Sequence, residues 1–143
     1  KRPDIKSWKD INIGGVVESG TSEYFHTGDW RTKVPIWQEK NCIQCLTCWA
    51  FCPDESILIE RVKNEKTGKI DVKRKGYNYD FCKGCGICAE ECPVNNKIIK
   101  AILKEKPEKK IDGVSAYGEK EFDEKAAILM VSIKDAKEKF NIK

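Results

Sequence analysis

Cys42-Ile43-Gln44-Cys45-Leu46-Thr47-Cys48-Trp49-Ala50-Phe51-Cys52-Pro53 recurs 40 residues further on as Cys82-Lys83-Gly84-Cys85-Gly86-Ile87-Cys88-Ala89-Glu90-Glu91-Cys92-Pro93. Both copies keep the spacing C-x2-C-x2-C-x3-C-P, and together they contain all eight cysteines of the chain. Each copy is followed by a short apolar run, Ile57-Leu58-Ile59 and Ile98-Ile99. A duplicated unit with pseudo-twofold symmetry is the simple reading.

This spacing is the bacterial iron–sulfur run, in which the fourth cysteine ligates the other of two clusters. Three cysteines at two-residue gaps let one loop wrap three corners of a cubane, with backbone N–H groups turned toward the sulfurs. The fourth corner must be reached from elsewhere, and the paired run supplies it. By that rule one [4Fe–4S] cluster takes Cys42, Cys45, Cys48 and Cys92, and the second takes Cys82, Cys85, Cys88 and Cys52. The exchange ties the two halves together, so loss of the clusters should unfold the core. Rival uses of the cysteines fit less well. Eight cysteines in disulfides would allow 105 connectivities, but nothing in the sequence looks secreted. Zinc sites usually have two C-x2-C pairs across a longer gap. A 3Fe cluster is disfavoured because the second cysteine of each run, Cys45 and Cys85, is present.

The two runs differ in their neighbours. The first carries Ile43, Leu46, Trp49 and Phe51; the second carries Lys83, Gly84, Gly86, Glu90 and Glu91. Apolar surroundings disfavour the extra negative charge of a reduced cluster. The first site is therefore expected to be the more buried and the second the more accessible. The alternative is that the bulky residues simply pack a core.

Of the 143 residues, 35% are charged and 40% hydrophobic, a modest supply for a conventional core. Bound clusters are the natural supplement. The formal charge is +4, with basic and acidic residues interleaved, so no nucleic-acid stripe is indicated. Two oxidised clusters, about −2 each with their thiolates, would bring the holoprotein near neutrality. No run of 18 apolar residues is present, so no membrane span is expected. The start, Lys1-Arg2-Pro3-Asp4, has no apolar stretch behind it and does not read as a signal peptide. With eight thiols, that points to a reducing, cytoplasmic setting.

Four regions are expected. Residues 1–33 are loop-rich, punctuated by Gly14-Gly15, Gly20 and Gly28. Residues 34–103 hold the cysteine runs in an α+β domain. Val34–Gln38 should be a strand, Ile57–Lys63 and Ile70–Lys75 a hairpin, and Ile98–Leu103 a closing strand, with short helices starting near Cys45 and Cys85. Residues 104–120 read as a charged linker. Residues 121–143 read as an amphipathic helix, because Phe122, Ala126, Leu129, Ile133, Ala136 and Phe140 recur at steps of four and three.

No catalytic constellation is visible. His26 is the only histidine and, in a loop, reads as a structural or surface residue. No Walker or dinucleotide glycine fingerprint is present. Trp8, Trp30 and Trp37 lie outside the cysteine runs and suit either interface or core packing.

Gly20-Thr21-Ser22-Glu23-Tyr24-Phe25-His26-Thr27-Gly28-Asp29-Trp30-Arg31, then Pro35-Ile36-Trp37, then both cysteine runs from Cys42 to Asp54 and from Tyr79 to Glu90, resemble one family throughout. It is the ferredoxin-like delta subunit of 2-oxoacid:ferredoxin oxidoreductases, best known from pyruvate synthase. The resemblance covers roughly residues 13–103. It implies a bacterial-type two-cluster ferredoxin fold whose leader, residues 1–33, docks on other subunits. In the family, thiamine diphosphate with Mg2+ in those subunits decarboxylates the 2-oxoacid, and coenzyme A usually takes the acyl group. The delta subunit passes electrons to external ferredoxin and does no bond chemistry itself. Two departures stand out. Val94-Asn95-Asn96-Lys97 follows the second run where the family commonly has an Ala-Ile step, and the tail after Leu103 is longer than the family's. The tail helix would dock on a partner or on the ferredoxin core. A free diffusible two-cluster ferredoxin is the alternative, as is an enzyme for oxalate, 2-oxoglutarate, 2-oxoisovalerate or indolepyruvate.

Overall fold

The computed structural model describes residues 7–16, 19–65 and 68–142. The elements are strand β1 (Lys33–Trp37), helix α1 (Thr47–Ala50), strands β2 (Ile57–Lys63) and β3 (Ile70–Tyr77), helices α2 (Ile87–Glu90), α3 (Pro93–Glu105) and α4 (Lys120–Lys125), strand β4 (Ile128–Ser132) and helix α5 (Ile133–Phe140). They form two antiparallel two-stranded sheets, β1 with β4 and β2 with β3. The class is α+β. The expected strand near Val34, the hairpin strands and the short helices within each cysteine run are all present. Asn64–Gly68, which joins the hairpin, and the Lys1–Asp4 start fall partly or wholly outside the described residues.

Two expectations are corrected. Ile98–Leu103 is the second half of helix α3, not a closing strand. Pro93 does not end a helix. It sits at the first turn of α3, where its fixed φ suits the helix and its missing N–H has no partner to lose. Ile98, Ile99, Ile102 and Leu103 then fall on one face by three- and four-residue spacing rather than by alternation. The tail is also not one helix. Ala126-Ala127-Ile128-Leu129-Met130-Val131 is an unbroken apolar run, and its centre forms β4, bracketed by α4 and α5. Ser132 then caps α5, its hydroxyl accepting from the Asp135 N–H at 3.1 Å.

β4 is buried on both faces. In register with β1, Leu129 lies opposite Ile36 and Val131 opposite Val34. By strand alternation, Leu129 and Val131 join one core with Val34, Ile36, Ile99, Ile102, Phe122 and Ala136. Ile128 and Met130 join a second core with Cys48, Ile57, Cys88, Ala89 and Cys92. The strand is the wall between an ordinary apolar core and the cysteine region. The tail therefore docks on its own chain.

Asn95, wholly buried, fastens this arrangement. Its amide nitrogen donates to the carbonyls of Ile128 at 2.8 Å and Ala89 at 3.2 Å, and its amide oxygen accepts from Ala127 N–H at 3.0 Å. The segment that departs from the family pattern thus holds the extra tail. Residues 104–120, read as a charged linker, also pack against the rest of the chain. Ala116 is fully buried, and Gly113 lies so close to helix α2 that a Cβ there would meet the Ala89 carbonyl oxygen at 2.5 Å.

Before β1 the described leader forms short 3₁₀ turns, Trp8–Asp10, Thr21–Tyr24 and Thr27–Trp30. The last is stitched to the segment entering the second cysteine run. Gly28 N–H donates to the Asp80 carbonyl at 2.8 Å, the Thr27 hydroxyl to Phe81 O at 2.8 Å, and Arg31 Nη1 to the carbonyls of Tyr79 and Cys82. Among the described residues no helix is long and apolar enough to cross a membrane.

Candidate metal centres

The two cysteine loops have the same backbone. Gln44 and Leu46 in the first occupy the left-handed region at φ 56° and 59°, and Gly84 and Gly86 in the second occupy it at 67° and 87°. These positions correspond across the 40-residue repeat. The left-handed turns curl each loop around its cysteines before helices α1 and α2 carry the third one inward. The glycines of the second run therefore meet a conformational need that the first run meets with Gln and Leu at some strain. Gly84 has a further constraint: a Cβ there would lie 2.0 Å from the Lys33 carbonyl oxygen.

The eight cysteines enclose two cavities, each with about 340 Å³ of space, mouths included. One is lined by Cys42, Cys45, Cys48 and Cys92. The other is lined by Cys52, Cys82, Cys85 and Cys88. Each cavity thus draws three cysteines from one run and the fourth from the other. Among the described residues no three His, Cys, Asp or Glu side chains converge closely enough for a single metal ion. A cubane makes no such demand, since each thiolate binds a different iron.

The donor set fits such a group. Thiol sulfurs are the soft ligands that iron–sulfur clusters take. Polar hydrogens already face them: Gln44 N–H to Cys42 Sγ at 3.4 Å, Ser56 N–H to Cys52 Sγ at 3.3 Å and the Thr47 hydroxyl to Cys45 Sγ at 3.3 Å. Burial pushes the Cys48, Cys82 and Cys92 thiols up, and the Cys88 thiol up to about 12. Without metal these buried thiols stay protonated near neutrality, so a metal entering the site displaces their protons.

The expected contrast between the two sites is not found. Each cavity has two buried cysteines, one half-buried and one exposed, the exposed one being the second of its run, Cys45 or Cys85. Ile43 lines the first cavity but is 64% exposed, and Phe51, 54% exposed, is not part of its lining. Ile43 and Leu46 line that cavity without making its cysteines more buried than those of the other, and none of the four bulky residues joins a core.

Two residues at the site carry no motif signal. Arg74, 3% exposed, lines the first cavity, with Nη1 3.6 Å from Cys48 Sγ. Tyr77 lines the second, its hydroxyl 3.3 Å from Cys88 Sγ. An arginine within Val72-Lys73-Arg74-Lys75 reads as one more exposed cation of a charged strand. Of the three tryptophans outside the runs, only Trp37 approaches the site, its ring 4.8 Å from the Arg74 guanidinium carbon. Trp8 and Trp30 are 79% and 70% exposed. His26 is exposed, its ring 6.0 Å from that of Phe81, away from both cavities.

Comparison with known proteins agrees with this geometry. Residues 36–100 match the family described as 4Fe-4S dicluster domain. The pyruvate synthase subunit PorD of Thermotoga maritima is 48% identical over 90 residues, covering 62% of this chain and 81% of that one. PorD of Methanocaldococcus jannaschii is 38% identical over 100 residues, covering 69% of this chain and 99% of that one. The ketoisovalerate oxidoreductase subunit VorD of Pyrococcus furiosus is 42% identical over 71 residues, covering 48% and 55%. A duplicated cysteine run folded into two four-cysteine cavities, inside a chain that aligns with nearly whole PorD subunits, belongs to the family of ferredoxin-like delta subunits of 2-oxoacid:ferredoxin oxidoreductases.

Proposed function

We propose that this chain is the electron-transfer subunit of a pyruvate synthase-type oxidoreductase. Its eight cysteines would hold two [4Fe–4S] clusters as Cys42/Cys45/Cys48/Cys92 and Cys52/Cys82/Cys85/Cys88. The single observation behind this reading is the pairing of cysteines across the two cavities. It matches the exchange of the fourth ligand expected for this run. A bound cluster supplies a one-electron redox step. The chain's own work is to hold eight thiolates, point N–H and O–H donors at them, and keep the two sites adjacent through the contact of Arg74 with Tyr77. Cys45 and Cys85, exposed at equivalent points, mark where each site comes nearest to a redox partner.

The substrate reading follows the relatives. Those spanning most of their own length are pyruvate synthase subunits, whereas the ketoisovalerate relative is matched over 55% of its length. Thiamine diphosphate, Mg2+ and coenzyme A belong to the companion subunits in this reading, external ferredoxin is the acceptor, and the complex is cytoplasmic. The exposed Trp8, Tyr24, Phe25 and Trp30 of the leader suit contact with those subunits.

Anaerobic purification with companion subunits tests this. About eight irons per chain, thiamine diphosphate in the complex, and pyruvate- and coenzyme A-dependent reduction of ferredoxin are expected. A monomer that accepts electrons freely and has no companions would instead be a diffusible ferredoxin. Preferential turnover of 2-oxoisovalerate would move the substrate and leave the relay intact.

A further inference from the structure

The β2–β3 hairpin contains an irregularity that places a cation between the cavities. Leu58 pairs with Gly76 but Ile59 pairs with Arg74, leaving Lys75 unopposed. One extra residue on β3 breaks the inward–outward alternation. Arg74 and Tyr77, three apart, consequently share the inward face, with the guanidinium carbon 4.3 Å from the Tyr77 ring centre. Trp37 covers another side of the guanidinium. Gln44, from the first cysteine loop, fixes the strand by accepting from Arg74 N–H at 2.8 Å.

The guanidinium is under-partnered. Nη1 faces Cys48 Sγ, while Nε and Nη2 are buried with no acceptor. None of the ion pairs among the described residues includes Arg74. Arginine does not lose its proton in proteins, and a buried charge with no counter-charge is strongly unfavourable. Buried donors without acceptors call for a specific explanation. The space they border is the Cys42/Cys45/Cys48/Cys92 cavity.

We infer that Arg74 is the counter-charge of that cavity's cluster, and that with Tyr77 it forms a bridge that sets the two sites' potentials separately. This rests on the two-cluster reading above. Arg74 donates to the first site, at Cys48 and at acceptors on its bound group. Tyr77 donates its O–H to the Cys88 thiolate of the second. Reduction adds negative charge, which a fixed cation beside the site favours, so Arg74 raises the potential of the first site. The phenol hydrogen bond raises that of the second by a smaller amount. Arg74 is a positioning and tuning residue; it is not a ligand. The asymmetry between the sites lies in how each meets its arginine: Arg74 is buried with Nη1 facing the Cys48 sulfur, whereas Arg31, beside the second site, donates to the Tyr79 and Cys82 carbonyls.

The test is an EPR-monitored redox titration of the full chain, purified anaerobically with its clusters, with iron and sulfide counted per chain. Arg74→Met is expected to lower one reduction wave by at least tenfold in the equilibrium constant, about 59 mV for one electron, and the other by less. Arg74→Lys should restore most of that shift. Tyr77→Phe should lower the other wave. The inference is overturned if Arg74→Met, fully loaded with iron, leaves both waves in place, or if both variants move the same wave. It is also overturned if Arg74→Lys shifts as far as Arg74→Met, since packing would then be the cause. If Arg74→Met cannot hold clusters, Arg74→Lys and Tyr77→Phe decide. Two wild-type-like waves in Arg74→Lys with a single lowered wave in Tyr77→Phe support the bridge, and any other pattern rejects it. A wild-type chain without iron would sink the cluster reading itself, which the iron count distinguishes from a fully loaded chain whose potentials do not respond.

Discussion

At the scale of single residues, the pseudo-symmetry of the cysteine loops makes an asymmetric prediction. Positions 44 and 46 match 84 and 86 in backbone, but the surroundings differ. Leu46→Gly relieves left-handed strain and enlarges the freedom of the unfolded chain by a similar amount. It should change stability by less than about 1 kcal/mol. Gly84→Ala must push the Lys33 carbonyl away and should cost roughly 1–3 kcal/mol. Denaturant unfolding of the iron-loaded chain compares the two; equal effects would refute the argument. Asn95→Ala leaves the backbone groups of Ala127 and Ile128 without partners in a buried place. At about 1–3 kcal/mol per orphaned group it should cost at least about 2 kcal/mol. The grouping of the cysteines around two cavities was legible at this scale because it follows from their short spacing. Arg74 was not, because its inward aim depends on one unopposed residue in a hairpin.

Among elements, β4 has the widest reach. It pairs with β1 and presents alternate side chains to two cores. Leu129→Ala and Met130→Ala should each cost about 2–5 kcal/mol. They should differ in a second measurement, the rate at which a chelator strips iron. Met130→Ala opens the core that contains Cys48, Cys88 and Cys92, so it should speed iron loss. Leu129→Ala acts on the other face and should affect that rate much less. The same rate in both would mean that the strand does not divide the cores. The steps of four and three in the tail predicted a helix because Leu129 happens to fall on the helical stripe. The unbroken apolar run from Ala126 to Val131 was the better signal, since a strand buried on both faces shows no alternation.

For the whole molecule, two cores imply two responses to metal removal. The cysteine core is small and has Cys48, Cys88 and Cys92 among its buried residues. The core of β1, β4, α3, α4 and α5 contains no cysteine among its buried residues. After anaerobic chelation, hydrogen exchange should quicken most in α1, α2 and the cysteine loops, and least across the β1–β4 pair. Uniform loss of protection would show that the metal holds the entire chain together. Faster exchange limited to α1, α2 and the cysteine loops would refine the expectation that cluster loss unfolds the core, confining it to one side of β4. The sequence by itself determined the duplicated cysteine runs, the family, the hairpin and the two crossed sets of cysteines that line the two cavities, because each follows from residue type at short spacing. Only the tertiary structure decided that the tail walls off the cysteines, that Asn95 clasps it, and that Arg74 stands between the sites. Each of these depends on residues far apart in the chain, or on a one-residue slip in strand register, and neither leaves a periodic mark in the sequence.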